Sequence, residues 1–276
     1  MVGLFSRDVT IAVLASGSAG NCTYVGDGKA GVLIDCGIST RRILARMDGH
    51  GIGGWPIDAV LVTHEHKDHV GSARILSERL RRLQGKEVPV HMTSGTRGAA
   101  DPRCLPKEGV AIVESGARFR VRHLEVEPFT VPHDVLDPVA YKVGCGDIKV
   151  AVVTDLGRPT ALVARQMRDC DVLVLEYNHD VEMLMEGPYP WHLKQRIRSN
   201  HGHLSNTQAS KLLTAGLGER LRYVTLAHLS EENNTPEKAR AACRRALDAA
   251  GARHVEVHVA GQEGVAEPLR LATNVW

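Results

Sequence analysis

The sequence contains no long hydrophobic run. No apolar stretch approaches the ~20 residues that a membrane-spanning helix requires. Residues 1–8 also lack the extended apolar segment of a secretory signal. We therefore expect a cytoplasmic protein with no membrane partner. The formal net charge is only +2, which by itself gives no indication of a nucleic-acid partner.

Other features are absent as well, and each absence excludes a class of protein. The six cysteines show no short spacing, which argues against disulfides and against a structural zinc site built from cysteine pairs. A P-loop and a dinucleotide-binding fingerprint are both missing. No Pro/Ser-rich linker divides the 276 residues, so we expect one domain over 1–276.

The most informative segment that is present, THEHKDH (63–69), directly follows the apolar run 59–62. It places His64, His66, Asp68 and His69 within six positions. Because side chains alternate along a strand, His64 and His66 point the same way, and the following turn directs Asp68 and His69 to a second site. The spacing suits two metal ions, and a solvated polar loop is the weaker alternative.

Three further strand-like runs end on metal-ligand residues. The run 129–132 leads to His133, 150–154 to Asp155, and 223–227 to His228. An isolated histidine at a strand end is more often an ordinary hydrogen-bonded residue. Together with the first segment, however, these residues form a set along the edge of a sheet.

Longer motifs accompany the ligands and cover nearly the whole chain, most weakly at 83–122. They are ASGSAGNC (15–22), LIDCG (33–37), TDLG (154–157), LEYNHD (175–180), GHLSN (202–206) and AHLSEENN (227–234). With these motifs the sequence resembles the WalJ/YycJ subgroup of the metallo-β-lactamase superfamily. The resemblance implies an α/β fold, a four-layer αββα sandwich with two mixed β-sheets flanked by helices.

The resemblance also implies the division of the metal ligands. His64, His66 and His133 would hold one ion, Asp68, His69 and His228 the other, and Asp155 would bridge them. Two divalent ions sharing a water favour phosphodiester hydrolysis. Imidazole and carboxylate ligands suit Zn²⁺ or Mn²⁺, and Fe²⁺ is also chemically possible. Asp68 is in addition a candidate catalytic residue.

Other residues are candidates for roles around the ions. Asp35 could fix the tautomer of a ligand histidine, or it could be a plain turn residue before Gly37. His203, in a motif that resembles RNase Z-like phosphodiesterases, is the candidate general acid, and His179 is its competitor.

Substrate binding could involve two segments. Ser16, Ser18 and Asn21 form a Gly-rich turn that either holds a terminal phosphate or is a plain β-turn. Lys194, Arg196 and Arg198 form a basic run between two site motifs, and its alternative is a solvated helix face.

The periodicity predicts helices at about 39–48, 69–84, 159–169, 180–199, 206–215 and 236–250, the last capped by Thr235 with Pro236 at its first position. Helices and strands thus alternate throughout, as expected for layered α/β domains.

The resemblance implies a metal-dependent nuclease, a 5′-to-3′ exonuclease on double-stranded DNA that acts in mismatch repair. The alternatives are a small-molecule or cyclic-nucleotide phosphodiesterase and an RNase Z/J-like ribonuclease. The chain is too short for the inserted domain of RNase J-like enzymes and shows no protruding arm of the RNase Z type. A regulatory module with structural metals is a further alternative from a different class. Protein partners are unknown from the sequence.

Overall fold

The computed structural model describes residues 6–274. Residues 1–5 lie outside the described residues. They belong to the segment 1–8, for which the sequence predicts no secretory signal. The strands are β1 (Ser6–Ala15), β2 (Cys22–Gly26), β3 (Gly31–Ile34), β4 (Ala59–Leu61), β5 (Val90–Met92), β6 (Val110–Ile112), β7 (Phe119–Val121), β8 (Leu124–Thr130), β9 (Val139–Cys145), β10 (Ile148–Val153), β11 (Val172–Glu176), β12 (Tyr223–Ala227), β13 (Glu256–Val259) and β14 (Leu269–Asn274).

The strands described within residues 6–274 form two sheets of seven. The first has the order β14-β1-β2-β3-β4-β5-β6 and the second the order β13-β12-β11-β10-β9-β8-β7. Both sheets are mixed. Successive strands pair antiparallel from β1 to β3 and from β7 to β10. They pair parallel from β3 to β6 and from β10 to β13. Because β14 pairs with β1, the end of the chain returns to the first sheet.

The helices lie on the outer faces of the two sheets. They are α1 (Thr40–Gly49), α2 (Lys67–Val70), α3 (Ala73–Gln84), α4 (Ser94–Ala99), α5 (Ala161–Met167), α6 (Val181–Glu186), α7 (Trp191–Arg198), α8 (Asn206–Ala215) and α9 (Pro236–Ala249). Thr235 caps α9, and its hydroxyl accepts a hydrogen bond from the Lys238 amide at 3.2 Å, as the sequence predicts.

Hydrophobic packing explains the four layers. Along β1, Ile11 and Val13 pack between the two sheets, whereas Ala12 and Leu14 pack against the helices. A second outer core lies between the other sheet and α5, α8 and α9. Strands buried on both faces are apolar throughout, which accounts for the continuous apolar runs of the sequence. The predicted αββα sandwich is confirmed.

Two predicted helices are wrong in their extent. The helix predicted at 69–84 is divided into α2 and α3 at Gly71 and Ser72. The helix predicted at 180–199 is divided into α6 and α7 by Gly187-Pro188-Tyr189-Pro190, because proline disfavours helical backbone in the residue before it. The short helix α4, in the region 83–122, was not predicted.

All six cysteines are free thiols, and five of them are buried. Among the helices of residues 6–274, none combines the length and apolar character needed to cross a membrane.

Candidate metal centre

The seven predicted metal ligands meet at one end of the two sheets. His64 and His66 follow β4, and Asp68 and His69 lie on the short helix α2. The second sheet contributes His133 after β8, Asp155 after β10 and His228 after β12. Residues that follow alternate strands of the second sheet thus meet the β4–α2 segment of the first sheet.

The ligand side chains form two main groups. The ligand atoms of His64, His66 and His133 lie within 4.8 Å of one another, and so do those of Asp68, His69 and His228. The division is the same as the one that the sequence resemblance implies. The two groups are adjacent, because the rings of His64 and His69 are 4.0 Å apart between centroids.

Asp155 lies between the two groups. Its Oδ2 is 3.3 Å from Nε2 of His69. Its Oδ1 is 3.5 Å from Nε2 of His228 and 4.0 Å from Nε2 of His133. One carboxylate therefore faces ligands from both groups, as a bridging ligand would.

The donor atoms of this centre suit metal ions. Nδ1 of His133 donates to the backbone carbonyls of His201 at 3.1 Å and Gly202 at 3.2 Å. Within residues 6–274, Nε2 of His133, Nε2 of His228 and Oδ2 of Asp155 are buried without a hydrogen-bond partner. Such atoms are rare in folded proteins, and here they belong to the two adjacent ligand groups and to the carboxylate between them, where divalent ions would satisfy them.

Asp35 contacts a predicted ligand histidine, the geometry that one of its two predicted alternatives requires. Its Oδ2 is 2.8 Å from Nδ1 of His69, and its Oδ1 accepts from the Thr63 amide at 2.9 Å. Burial raises the pKa of Asp35, although the hydrogen bonds from His69 and Thr63 oppose this. The contact leaves Nε2 of His69 to face the metal position.

Burial and charge set the protonation of the centre. Burial, then the neighbouring His69 and His133, hold the pKa of His64 well below its ordinary value. Burial also opposes protonation of His228, but the Asp155, Asp68 and Glu176 carboxylates outweigh it and raise the pKa of His228 to about 10. In the metal-free protein, a protonated imidazole thus balances the buried carboxylates, and metal binding would release its proton.

Three residues of the centre have left-handed backbone conformations. The φ angles are 61° for Asp35, 58° for Asp155 and 56° for His228. Such angles are uncommon outside glycine and cluster at functional sites. The backbone amide of His228 donates to Oγ of Ser16 at 2.7 Å, and this serine is 2% exposed. Ser16, which the sequence predicts either as part of a phosphate-binding turn or as part of a plain β-turn, is thus buried and uses its hydroxyl to support the His228 turn.

The other two residues predicted in the 16–21 turn, Asn21 and Ser18, lie in different surroundings. Asn21 is 5% exposed, and its Nδ2 lies 3.0 Å from Nε2 of His69, so it belongs to the metal centre. Ser18 is exposed, and of the three residues predicted in this turn it alone is open to a substrate. The turn is closed against the Asp35 loop, because the Gly37 amide donates to the Asn21 carbonyl at 2.9 Å and a Cβ on Gly37 would overlap the Asp68 carbonyl.

Glu176, at the end of β11, is a site residue that the sequence reasoning missed. Its side chain has no exposed surface, and its Oε1 lies 2.8 Å from Nδ1 of His203 and 3.1 Å from Nδ1 of His228. Its Oε2 accepts from the Leu156 and Leu204 amides at 3.1 and 3.2 Å. The only signal in the sequence was an acidic residue at the end of the apolar run 172–175, within a motif that also contains His179.

The structure distinguishes the two candidate general acids. His203 is 22% exposed in its side chain and lines a cleft together with His66, His133 and Arg196. His179 is 1% exposed, with Nδ1 near Oδ1 of Asn178 at 3.3 Å. Burial lowers the pKa of His179 to about 4, so its ring is neutral near pH 7 and poorly suited to donate a proton. The geometry therefore favours His203.

The basic run on α7 is not uniform. Nζ of Lys194 donates to the carbonyls of Met185 and Gly187, each at 2.7 Å, and Lys194 is 8% exposed. The predicted substrate contact of Lys194 is wrong, because this ammonium group holds the end of α6. Arg196 is exposed and donates to Asp134, next to His133, at 2.7 Å. Arg198 is exposed beside Met185.

Comparison with known proteins agrees with the fold and the centre. Residues 31–225 match the beta-lactamase superfamily domain, and the chain belongs to this superfamily. It is 33% identical over 242 residues to exodeoxyribonuclease YycJ of Bacillus anthracis, which covers 87% of this chain and 89% of that protein. It is also 33% identical over 229 residues to exodeoxyribonuclease WalJ of Streptococcus pneumoniae serotype 2, covering 83% and 84%.

A solved structure extends the likeness in fold. The metallo-beta-lactamase fold protein YhfI of Bacillus subtilis superposes with a TM-score of 0.70 at 16% identity, over 97% of this chain and 100% of that chain. The resemblance to the WalJ/YycJ subgroup is thus confirmed, and the chain is a metal-dependent hydrolase of the metallo-β-lactamase fold.

Proposed function

We propose that this protein is a 5′-to-3′ exonuclease on double-stranded DNA that uses two divalent metal ions and acts in DNA mismatch repair. The observation that carries the proposal is the position of His203, held by Glu176 and open to the cleft beside two groups of ligands. The relatives that match most of the chain are named exodeoxyribonucleases, which supports a nucleic-acid substrate.

The proposed ligands come from both sheets. The first sheet supplies His64, His66, Asp68 and His69, and the second supplies His133, Asp155 and His228. Since neither sheet supplies all of the proposed ligands, we propose that 1–276 form a single hydrolase domain. We also propose that the protein acts in the cytoplasm. Zn²⁺ and Mn²⁺ both suit imidazole and carboxylate ligands, and Fe²⁺ is a further option. When bound, such a pair of ions supplies an activated water and stabilises the charge on the phosphate oxygens.

The side chains of this protein would carry out the other steps. The contact between Nδ1 of His203 and Glu176 leaves Nε2 on the cleft side, where it would donate a proton to the leaving sugar oxygen. The buried Glu176 carboxylate holds the ring of His203 in this orientation. Arg196 and Arg198 would contact backbone phosphates outside the metal centre, and Ser18 would lie near the terminal phosphate.

The test is a nuclease assay on linear duplex DNA labelled at the 5′ end, with circular duplex, single-stranded DNA and RNA as parallel substrates. Mn²⁺, Zn²⁺ and Mg²⁺ are tested separately. Release of labelled mononucleotides from the linear duplex, with the circle left intact, is the expected result. Rapid cutting of the circle would indicate an endonuclease. Hydrolysis of small phosphodiesters alone would indicate a small-molecule phosphodiesterase, and preference for RNA would indicate a ribonuclease.

A further inference from the structure

A second group of metal-ligand side chains lies at the other end of the sandwich. Asp27 follows β2, His123 lies in the turn between β7 and β8, and Cys145 ends β9. The opposite end of β9 contacts the metal centre, since the Val139 amide donates to the Thr63 carbonyl at 3.0 Å. At about 3.3 Å per residue, the seven residues of β9 separate the two places by roughly 20 Å.

The distances among these three side chains are close to those around a tetrahedral zinc ion. Oδ2 of Asp27 lies 3.0 Å from Nε2 of His123, and Sγ of Cys145 lies 4.0 Å from the same nitrogen. All three ligand atoms lie within 4.8 Å of one another. Zinc bonds of about 2.0–2.3 Å place nitrogen and oxygen ligands about 3.3 Å apart, and nitrogen and sulfur ligands about 3.6 Å apart. For the two pairs that include His123, shifts of a few tenths of an ångström would reach these distances.

The surroundings of the three side chains fix their orientation. The Asp27 side chain has no exposed surface, and its Oδ1 accepts from the amides of Lys29 and Ala30, each at 3.0 Å. These contacts turn Oδ2 towards His123. Cys145 is 1% exposed, whereas the His123 side chain is 42% exposed. Asp27 and Cys145 would hold an ion from the buried side and His123 from the exposed side, where the fourth position would face solvent.

We propose that Asp27, His123 and Cys145 bind one Zn²⁺, or a similar thiophilic divalent cation, with water as the fourth ligand. Thiolate, imidazole and carboxylate are the ligands that zinc uses in proteins. Asp27 belongs to the first sheet, and His123 and Cys145 belong to the second. The ion would therefore connect the two sheets, and because it binds the folded chain it would stabilise that chain against unfolding.

Cobalt substitution provides the test. A thiolate ligand gives Co²⁺ an intense near-ultraviolet charge-transfer absorption, and the seven ligands of the proposed hydrolytic centre include no sulfur. Chelated full-length protein is titrated with Co²⁺. We expect this band to appear and to saturate at one thiolate-bound ion per chain. It should be lost in Cys145→Ser and in His123→Gln and retained in Cys104→Ser, a matched change at a half-buried cysteine.

His123→Gln keeps the test decisive if Cys145→Ser does not fold, because His123 is exposed. Absence of the band in the unmodified protein would overturn the proposal, as would a band of unchanged intensity in His123→Gln. Asp155→Ala should keep the band, since Asp155 belongs to the other end of the sandwich. The outcome is therefore independent of the proposed nuclease activity.

Discussion

Nδ1 of His203 lies 2.8 Å from Oε1 of Glu176, and that same oxygen lies 3.1 Å from Nδ1 of His228. One buried carboxylate oxygen thus fixes the ring orientation of a proposed general acid and of a proposed metal ligand. Burial opposes ionisation of Glu176, but the charges and hydrogen bonds of His203 and His228 keep the pKa of Glu176 well below its ordinary range.

Glu176→Gln should weaken both functions at once. An amide keeps the shape of the side chain but removes the charge, so we expect metal affinity and turnover each to fall by about 10- to 100-fold. Metal titration and the pH profile of kcat provide the measurements. Glu125→Gln, which changes an exposed carboxylate paired with Arg120, is the matched control. An unaltered pH profile together with unaltered metal affinity would contradict this role.

Asp155→Ala should remove more than one ion. A bridging carboxylate serves both positions, so its loss should leave the hydrolytic centre with fewer than one tightly bound divalent ion per chain. Metal analysis is carried out on protein that also carries His123→Gln, so that an ion at Asp27, His123 and Cys145 is not counted. Asp134→Ala, next to His133 but paired with Arg196, should keep both ions. A single tightly held ion that persists in Asp155→Ala would rule out the bridging assignment.

His203→Ala should separate chemistry from metal binding. We expect the variant to keep its fold and its metals but to lose about 10²- to 10⁴-fold in turnover, the usual contribution of a positioned general acid. Turnover on duplex DNA and metal content are measured on the same preparation. Loss of metal in His203→Ala would show that the residue is a ligand.

Arg196→Ala and Arg198→Ala should weaken DNA binding to a similar degree for all sequences. Each lost phosphate contact should reduce the slope of log affinity against log salt by about 0.9 on duplex DNA. Lys194→Ala should instead lower the thermal stability, because Lys194 is bonded to the carbonyls at the end of α6. Titrations at several salt concentrations check the first effect and thermal unfolding the second. A Lys194→Ala variant with normal stability and a reduced salt slope would reverse these assignments.

His91 should make the protein acid-sensitive. Its ring stacks on Phe119 with centroids 4.8 Å apart, and burial lowers the pKa of His91 to about 4. The unfolded chain, with an ordinary histidine pKa of about 6.5, binds the proton first as the pH falls. His91 therefore lowers the free energy of unfolding progressively as the pH drops from about 6.5 to about 4. His91→Phe should remove this loss, which is about 1–2 kcal/mol at pH 5. Urea unfolding at pH 8 and pH 5 measures it, and an equal effect of the substitution at both pH values would be the contrary result.

The sequence predicted the metal centre more completely than its surroundings. His64, His133 and Asp155 were recognisable because each follows an apolar run, and strands of one sheet end at a common edge. A contact between Asp35 and a ligand histidine was predicted as one alternative, because Asp35 also follows an apolar run, but the sequence did not indicate which histidine. These positions depend on the local pattern, which the chain displays directly.

Features that depend on three-dimensional packing were missed. Glu176 ends a strand as many solvated residues do, and its burial between two histidines arises only when α8 and β12 are in place. Lys194 was predicted to contact substrate as part of a basic run, whereas the prolines at 188 and 190 divide the helix and this side chain lies against the end of α6. Ser16 resembled a phosphate-binding turn, but the chain brings it against a backbone amide 212 residues away.

The left-handed backbone at Asp35, Asp155 and His228 has a consequence for mutational screens. At such φ angles glycine avoids a steric cost of order 1 kcal/mol, so a screen scored by folding yield of the metal-free protein should accept glycine at Asp155 and His228 more readily than at Asp35, whose carboxylate accepts a buried hydrogen bond from the Thr63 amide. A screen scored by catalysis should reject it, because the side chains carry the chemistry. Disagreement between the two rankings would therefore identify residues retained for reactivity at the expense of folding, and would do so without knowledge of the substrate.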